Sequence, residues 1–390
     1  MKKVCVLTAT RAEYGLLRPV IDKLNRSGEL DVRIAVTGAH LSPEFGLTYK
    51  EIEADGLTID EKIEILMSAD TPSAISKSMA LAMTGFADYF QRTRPDMLVV
   101  LGDRYETLAV CCAAMNAGIP IAHLYGGETT EGAVDECIRH SITKMSYLHF
   151  TSTEAYRRRV IQLGEDPERV FCVGAVGIEN ICEMQLLDRA GLEEAVGFRL
   201  DRPYAVVTFH PVTLESGGAE SQFGELLDAL SRFKDMKFII TKANADADGR
   251  RINQMTDEFA AVHRNVAVFE SLGQLRYLSA LKYCAMVVGN SSSGLIEAPS
   301  FGIPTVNIGD RQKGRLQADS VINCAPFAVE IEKAMQMALS EEFSERAANT
   351  VNPYGDGHTS EKIVNTLKSF LCHGSINLKK RFYDITGEQS

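Results

Sequence analysis

Short apolar runs alternate with longer amphipathic stretches along the whole chain, and the alternation predicts strands and helices in turn. Strands are expected at Val4–Leu7, Val32–Val36, Met97–Leu101, Pro120–Leu124, Leu148–Thr151 and Val170–Val173. A second series comes at Tyr204–Phe209, Lys237–Ile240, Val266–Phe269, Met286–Val288, Pro304–Ile308 and Val321–Cys324. Several are apolar without a break, such as Leu98-Val99-Val100-Leu101, as befits parallel strands covered on both faces. Helical periodicity falls at about Glu13–Ser27, Ser73–Thr93, Glu106–Ala117, Asp135–Met145, Glu154–Leu163, Ser221–Phe233 and Gly249–His263. It continues at Leu272–Tyr283, Leu295–Phe301, Phe327–Leu339 and finally Ser360–Cys372. Strand–helix alternation of this kind builds right-handed βαβ units, so the fold class is α/β with doubly wound parallel sheets.

The chain has 390 residues, more than one hydrophobic core usually serves. The two strand series meet near Gly174–Asp201, a glycine-rich stretch that ends in Arg202-Pro203 before a new strand. Residues 1–176 therefore read as one Rossmann-like domain and 177–357 as a second, with a cleft between them. The turn signal Asn352-Pro353-Tyr354-Gly355-Asp356-Gly357 precedes a helix at about 358–375, which is expected to pack back onto the first domain. Residues 376–390 read as a tail, with Lys379-Lys380-Arg381 a solvated tail or edge.

Composition narrows the function. Hydrophobic residues at 45% and charged residues at 24% exclude a mainly disordered chain. Lys+Arg 41 against Asp+Glu 52 gives a net charge of −11, so no overall field favours nucleic acid or an anionic membrane. Any anionic ligand must be held by a local cluster. The apolar stretch at the N-terminus is too short for a secretory signal, and no apolar run approaches the ~20 residues that span a bilayer. The nine cysteines form no CxxC pair, and Cys5, Cys172, Cys284 and Cys324 lie in apolar runs. Neither a disulfide framework nor a structural zinc site is expected, and the protein is expected to be cytoplasmic and reduced.

Ligands of open α/β sheets gather beyond the carboxyl ends of the strands. Polar residues collect there: Thr10-Arg11-Ala12-Glu13-Tyr14-Gly15 after the first strand, Gly102-Asp103-Arg104-Tyr105-Glu106 after Leu101, and Tyr125-Gly126-Gly127-Glu128 after Leu124. In the second half, His210-Pro211, Asn290–Glu297 and Gly309–Arg315 hold the same place. The serine-rich Asn290–Glu297 turn can offer hydroxyls and free N–H groups to a phosphate, with Glu297 on a ribose diol, or it can simply cap a helix. No GxxxxGK[ST] and no GxGxxG is present, against a P-loop NTPase or a nicotinamide dehydrogenase. Arg11 is either a phosphate ligand or a surface ion pair with a nearby Glu. Arg311, Lys313 and Arg315 are either a phosphate clamp or a solvated turn. Asp103 is either a base or electrostatic stabiliser, or a cap. Asp135 and Glu136 open a helix, where acids also satisfy the dipole, and Asp135 with Arg139 is an i,i+4 pair. His210 is either functional or a satisfied core histidine, and His123 reads as structural.

Together these segments resemble the hydrolysing UDP-N-acetylglucosamine 2-epimerases of bacterial sialic and related nonulosonic acid pathways, over nearly the whole chain. The motifs that carry the resemblance are Thr10–Gly15, Gly102–Glu106, Gly126-Gly127-Glu128, Ile138-Arg139-His140-Ser141-Ile142-Thr143-Lys144-Met145, Phe209-His210-Pro211, Gly289–Glu297 and Gly309–Arg315. The resemblance implies a GT-B-like fold of two Rossmann-like domains, a UDP-sugar substrate and a homodimer or homotetramer. It implies chemistry with no metal and no cofactor: loss of the C2 proton and expulsion of UDP to give a 2-acetamidoglucal. Water then adds at C1 with reprotonation at C2 on the other face. By motif position Asp103 and Asp135 match catalytic acids and His210 a histidine near the diphosphate. Arg11, Asn244, Ser291, Ser292, Glu297 and Arg311 match positions that hold UDP. Relatives often carry a catalytic Glu two residues after the histidine matched by His123. Tyr125 stands there instead, and Glu128 is the substitute candidate.

The sugar expected first is UDP-N-acetylglucosamine, giving N-acetylmannosamine. The departure at Tyr125 raises UDP-2,4-diacetamido-2,4,6-trideoxyglucose, on the way to legionaminic acid, as the alternative. A GT-B glycosyltransferase, a nonhydrolysing epimerase and a silent nucleotide-sugar sensor are the competing functions. Their products tell them apart: a transferred sugar, an epimeric UDP-sugar, or unchanged substrate.

Overall fold

The computed structural model describes residues 1–69, 71–130, 134–211, 218–243 and 249–385. The chain forms two compact units. One comprises Met1–Thr129, Val134–Asn180 and the described chain from Tyr354 onward, and the other Ile181–Pro353.

The first unit is a parallel sheet of β1 (Lys2–Thr8), β2 (Leu30–Thr37), β3 (Ile59–Ile63), β4 (Met97–Leu101), β5 (Ile121–Leu124), β6 (Leu148–Thr151) and β7 (Val170–Cys172). The strands lie in the order β3-β2-β1-β4-β5-β6-β7. Successive side chains of a strand leave opposite faces, and both faces are covered. Val4 and Val6 of β1 and Val99 of β4 join Leu17, Ile21, Ile363 and Leu367 on one side. Cys5 and Leu7 of β1 and Leu98 and Val100 of β4 join Phe86, Phe90 and Val110 on the other. Each such buried side chain contributes roughly 1.5–3 kcal/mol. The helix Thr359–Lys368 completes the first of these layers against the helix Arg11–Arg26.

The second unit repeats the plan with β8 (Tyr204–Thr208), β9 (Lys237–Thr241), β10 (Val266–Phe269), β11 (Met286–Gly289), β12 (Thr305–Ile308) and β13 (Val321–Cys324). Their order is β10-β9-β8-β11-β12-β13, again parallel. Strand order reverses between β1 and β4 in one sheet and between β8 and β11 in the other. Such a reversal splays the two adjoining loops apart and leaves a crevice at the strand ends. Arg11 and Asp103 lie just beyond one such strand pair, and His210 and Ser291 beyond the other.

The expected strands are all present, and several features differ from expectation. The edge strand β3 was not foreseen, because Ile59-Asp60-Glu61-Lys62-Ile63 pairs only with β2 and stays half-exposed. The glycine-rich seam is not a bare linker: it folds into the helices Val176–Glu183 and Arg189–Val196. Leu295–Phe301 is split into a short helix, Ser293–Ile296, and a 3-10 turn, Ala298–Phe301. Lys380 is not solvated, since its Nζ donates to the carbonyls of Lys144 at 2.9 Å and Ser146 at 2.7 Å and pairs with buried Glu165. Cys5 and Cys284 are buried, whereas Cys172 is exposed on the edge strand β7. Among the described residues no helix is long and apolar enough to cross a membrane.

Candidate active site

In the first unit the chemistry gathers around Arg139. This side chain sits on the helix Val134–Met145 and is only 2% exposed. Its Nη2 donates to Asp103 Oδ2, just beyond β4. Its Nη1 donates to Glu136 Oε2 at 2.5 Å and to the Glu128 carbonyl at 2.9 Å. A planar guanidinium serves divergent acceptors at fixed angles, so it fixes the loops after β4 and β5 against the helix. The Glu128 carboxylate is itself buried and accepts from Ser152 Oγ at 2.7 Å. Asp135 lies one turn before Arg139 on the exposed start of the same helix. Desolvation, and next the like charge of Asp103, push its carboxyl upward. Asp103, Glu128 and Asp135 are thus brought together. Glu136 and Arg139 join them, although from sequence Arg139 had only an i,i+4 pairing with Asp135 and a place in the Ile138–Met145 motif.

His123 is structural, as its place inside β5 suggested. It is fully buried, donates from Nε2 to the Gly102 carbonyl at 2.8 Å, and accepts at Nδ1 from Thr143 Oγ1 at 3.2 Å. Burial drives its pKa down to about 3, so it braces the Asp103 loop as a neutral ring.

Arg11 pairs with Glu51 at 3.0 Å on the surface. Exposed pairs of this kind stabilise by about 0–1 kcal/mol, so a phosphate can displace the acid at little cost. A second guanidinium, Arg104, belongs to the Gly102–Glu106 motif but had no role assigned to it from sequence. Its Nε donates to fully buried Glu106 at 2.6 Å. Beneath it Glu13 closes a capping box with Thr10 and accepts from the Ala9 amide at 2.7 Å. Glu13 Oε1 and Glu106 Oε2 are both buried without a partner. Desolvation first, and the charge of Glu106 after it, raise the Glu13 pKa from 4.5 to about 7.

A raised acid pKa favours folding at low pH: the contribution is complete below pH 4.5 and is lost as pH climbs through about 7. The native protein should therefore lose up to about 3 kcal/mol across that window, and Glu13→Gln should flatten the loss. Urea midpoints measured against pH check this. Equal slopes for the two proteins would remove Glu13 as the titrating group.

In the second unit Asn290, 1% exposed, is the hub. Its side chain exchanges hydrogen bonds with the backbone of His210, accepting from the amide at 2.7 Å and donating to the carbonyl at 2.8 Å. Its own carbonyl accepts from Arg311 Nη1 at 2.9 Å and Gln312 Nε2 at 2.8 Å. The ends of β8, β11 and β12 are thereby tied together. Gly289 makes this possible, with φ at 134° and a Cβ position that runs into the Thr208 carbonyl. Burial, then the charge of Arg311, lowers the His210 pKa to about 4, and its Nδ1 is buried without a partner.

Ser291 and Ser292 lead into the short helix Ser293–Ile296, and Glu297 ends it. Burial raises the Glu297 carboxyl, and its Oε2 has no partner. A buried acceptor left open in this way suits a donor brought by a ligand. The structure thus groups His210, Ser291, Ser292, Glu297 and Arg311 at the strand ends of one sheet. Asn244 lies outside the described residues. Asn290 and Gln312 were not singled out, because amide side chains that bind backbone leave no charge pattern. Among the described residues, no three His, Cys, Asp or Glu side chains group as a metal site requires.

The family profile described as UDP-N-acetylglucosamine 2-epimerase matches residues 22–368. A Campylobacter jejuni protein named GDP/UDP-N,N'-diacetylbacillosamine 2-epimerase (hydrolyzing) is 42% identical, over 98% of this chain and 99% of its own. The Escherichia coli polysialic acid biosynthesis protein P7 is 40% identical, over 99% of this chain and 98% of its own. The crystal structure of UDP-GlcNAc 2-epimerase from Neisseria meningitidis bound to UDP-GlcNAc superposes with a TM-score of 0.73 at 21% identity, covering 94% of this chain and 99% of that one. At that identity the likeness speaks for the fold.

Proposed function

The chain belongs to the UDP-N-acetylglucosamine 2-epimerase family, and we propose that it hydrolyses UDP-2,4-diacetamido-2,4,6-trideoxyglucose to UDP and the free 2-epimeric sugar. The observation that carries the reading is the carboxylate cluster gathered by buried Arg139. A C2–H beside no carbonyl is weakly acidic, so cleavage of the C1–O bond must run ahead and build positive charge on the ring. The electron pair of that bond leaves with UDP, and a carboxylate takes the C2 proton. Water then gives its hydroxyl to C1 while a proton returns to C2 from the opposite face.

Asp103, engaged by Arg139, suits the stabilisation of ring charge. Asp135, whose carboxyl is pushed upward, suits proton transfer, and Glu128 is the third acid of the set. In the second unit, neutral His210 with Arg311 suits the diphosphate, helped by Ser291 and Ser292, and Arg11, beyond β1, suits an anion by its charge. Glu297 suits the ribose. Glu297→Ala should raise the apparent KM roughly tenfold by removing that acceptor. Steady-state kinetics check it, and a fall in kcat alone would move Glu297 away from the ribose.

The name of the C. jejuni relative favours the diacetamido sugar. UDP-N-acetylglucosamine is the second reading, favoured by the E. coli relative named for polysialic acid biosynthesis. Proton NMR in D₂O, with each UDP-sugar in its own tube, separates them. Free sugar carrying deuterium at C2, with UDP, is the expected result in the diacetamido tube. The same result only in the N-acetylglucosamine tube selects the second substrate. An epimeric UDP-sugar, or no change while UDP still binds, overturns hydrolysis.

A further inference from the structure

Tyr125 ends β5 in a left-handed conformation, with φ at 70°. An aromatic side chain is strained there, and such strain persists only where the surroundings hold it. Three contacts do so. The Tyr125 amide donates to the Phe150 carbonyl at 2.9 Å, and the ring packs against the core around Val173 and Val176. The hydroxyl accepts from the Val176 amide at 3.0 Å, at the first residue of the helix Val176–Glu183. A helix N-terminus leaves its first amides without intrahelical partners. Val176 is 1% exposed, so an orphaned amide there would be costly.

The glycine turn beyond Tyr125 has no room to relax around it. Gly127 has φ at 77°, and a Cβ there would run into the Tyr156 carbonyl. One residue later the turn delivers Glu128, with its carbonyl on Arg139 and its carboxylate on Ser152. We propose that Tyr125 is a positioning residue: its hydroxyl, bound to the Val176 amide, holds the left-handed turn that sets Glu128 against Arg139 and Ser152. Where the resemblance leads one to expect an acid, this chain carries a side chain that acts on backbone. The proposal rests on the reading of Glu128 as one of the catalytic acids.

Tyr125→Phe removes only the hydroxyl. In the free protein, amide hydrogen exchange should become at least about tenfold faster at Val176 and, with it, across Gly126–Glu128. The kcat for whichever UDP-sugar the native protein hydrolyses should fall about tenfold or more, while the dissociation constant of UDP stays unchanged. Tyr125→Asn relieves the backbone strain but cannot reach Val176. It should show the same loss of kcat with UDP affinity again unchanged, a split that a merely structural tyrosine would not give, while thermal stability falls with the lost ring packing and the orphaned Val176 amide. Faster exchange confined to Val176, or native kcat in either variant, overturns the proposal. Glu128→Gln is the separate control. If it turns over normally, the reading of Glu128 fails, and the exchange data alone still decide whether Tyr125 holds the turn.

Discussion

Asp103→Asn is expected to lower kcat by about 10²–10⁴-fold, the usual contribution of a group that stabilises charge or moves a proton. Asparagine keeps the size of the side chain and can still accept one hydrogen bond from Arg139, so the loop after β4 should hold its place. What goes is a negative charge that bears on Asp135 and that, in the proposed reaction, stabilises the ring cation. The affinity for UDP should change little, because His210, Ser291, Ser292, Glu297 and Arg311 all stand on the other sheet. Removing the Asp103 charge also takes away one cause of the raised Asp135 pKa, so the acid limb of the kcat profile should move to lower pH. Isothermal titration with UDP and a pH–rate series test both halves. If UDP affinity falls in parallel with kcat, Asp103 serves binding or the fold instead of the reaction.

The sequence revealed more of the fold than of the wiring within the site. Parallel strands buried on both faces are apolar throughout, which makes runs such as Met97–Leu101 easy to find. β3 escaped because an edge strand that faces solvent keeps Asp60, Glu61 and Lys62. Asp103, Glu128 and His210 were legible because each comes after a strand, where a chain of this class puts its polar residues. Arg139 was not, since local spacing offered it Asp135 as a helical neighbour. Its partners at Asp103 and Glu128 lie 36 and 11 residues back in the chain. Asn290 reaches His210 across 80 residues and Lys380 reaches Lys144 across 236, and no periodicity reports such contacts. Tyr125 could be noticed as a departure, yet its hydrogen bond to Val176 depends on a backbone angle that an aromatic residue rarely adopts.

Arg139→Met should remove both stability and turnover, for reasons that further substitutions can separate. Methionine fills much of the buried volume but leaves the Asp103 and Glu136 carboxylates and the Glu128 carbonyl without their shared donor. Breaking a buried ion pair on one side typically costs about 3–5 kcal/mol. Asp103 and Glu136 keep some access to water, at 29% and 27% exposure, so the expected loss is about 2–3 kcal/mol, read from urea midpoints. Turnover should fall by at least about 10²-fold, because the loops after β4 and β5 are no longer held against the helix that carries Asp135. Arg139→Lys should recover little of either, since one ammonium cannot meet three divergent acceptors at fixed angles. Adding Glu136→Gln to Arg139→Met removes one of the stranded charges and leaves Asp103 intact, so it should restore part of the stability while turnover stays lost. If activity returns together with stability, Arg139 acts only as a charge balance for the fold, and the acids do not depend on it for their placement.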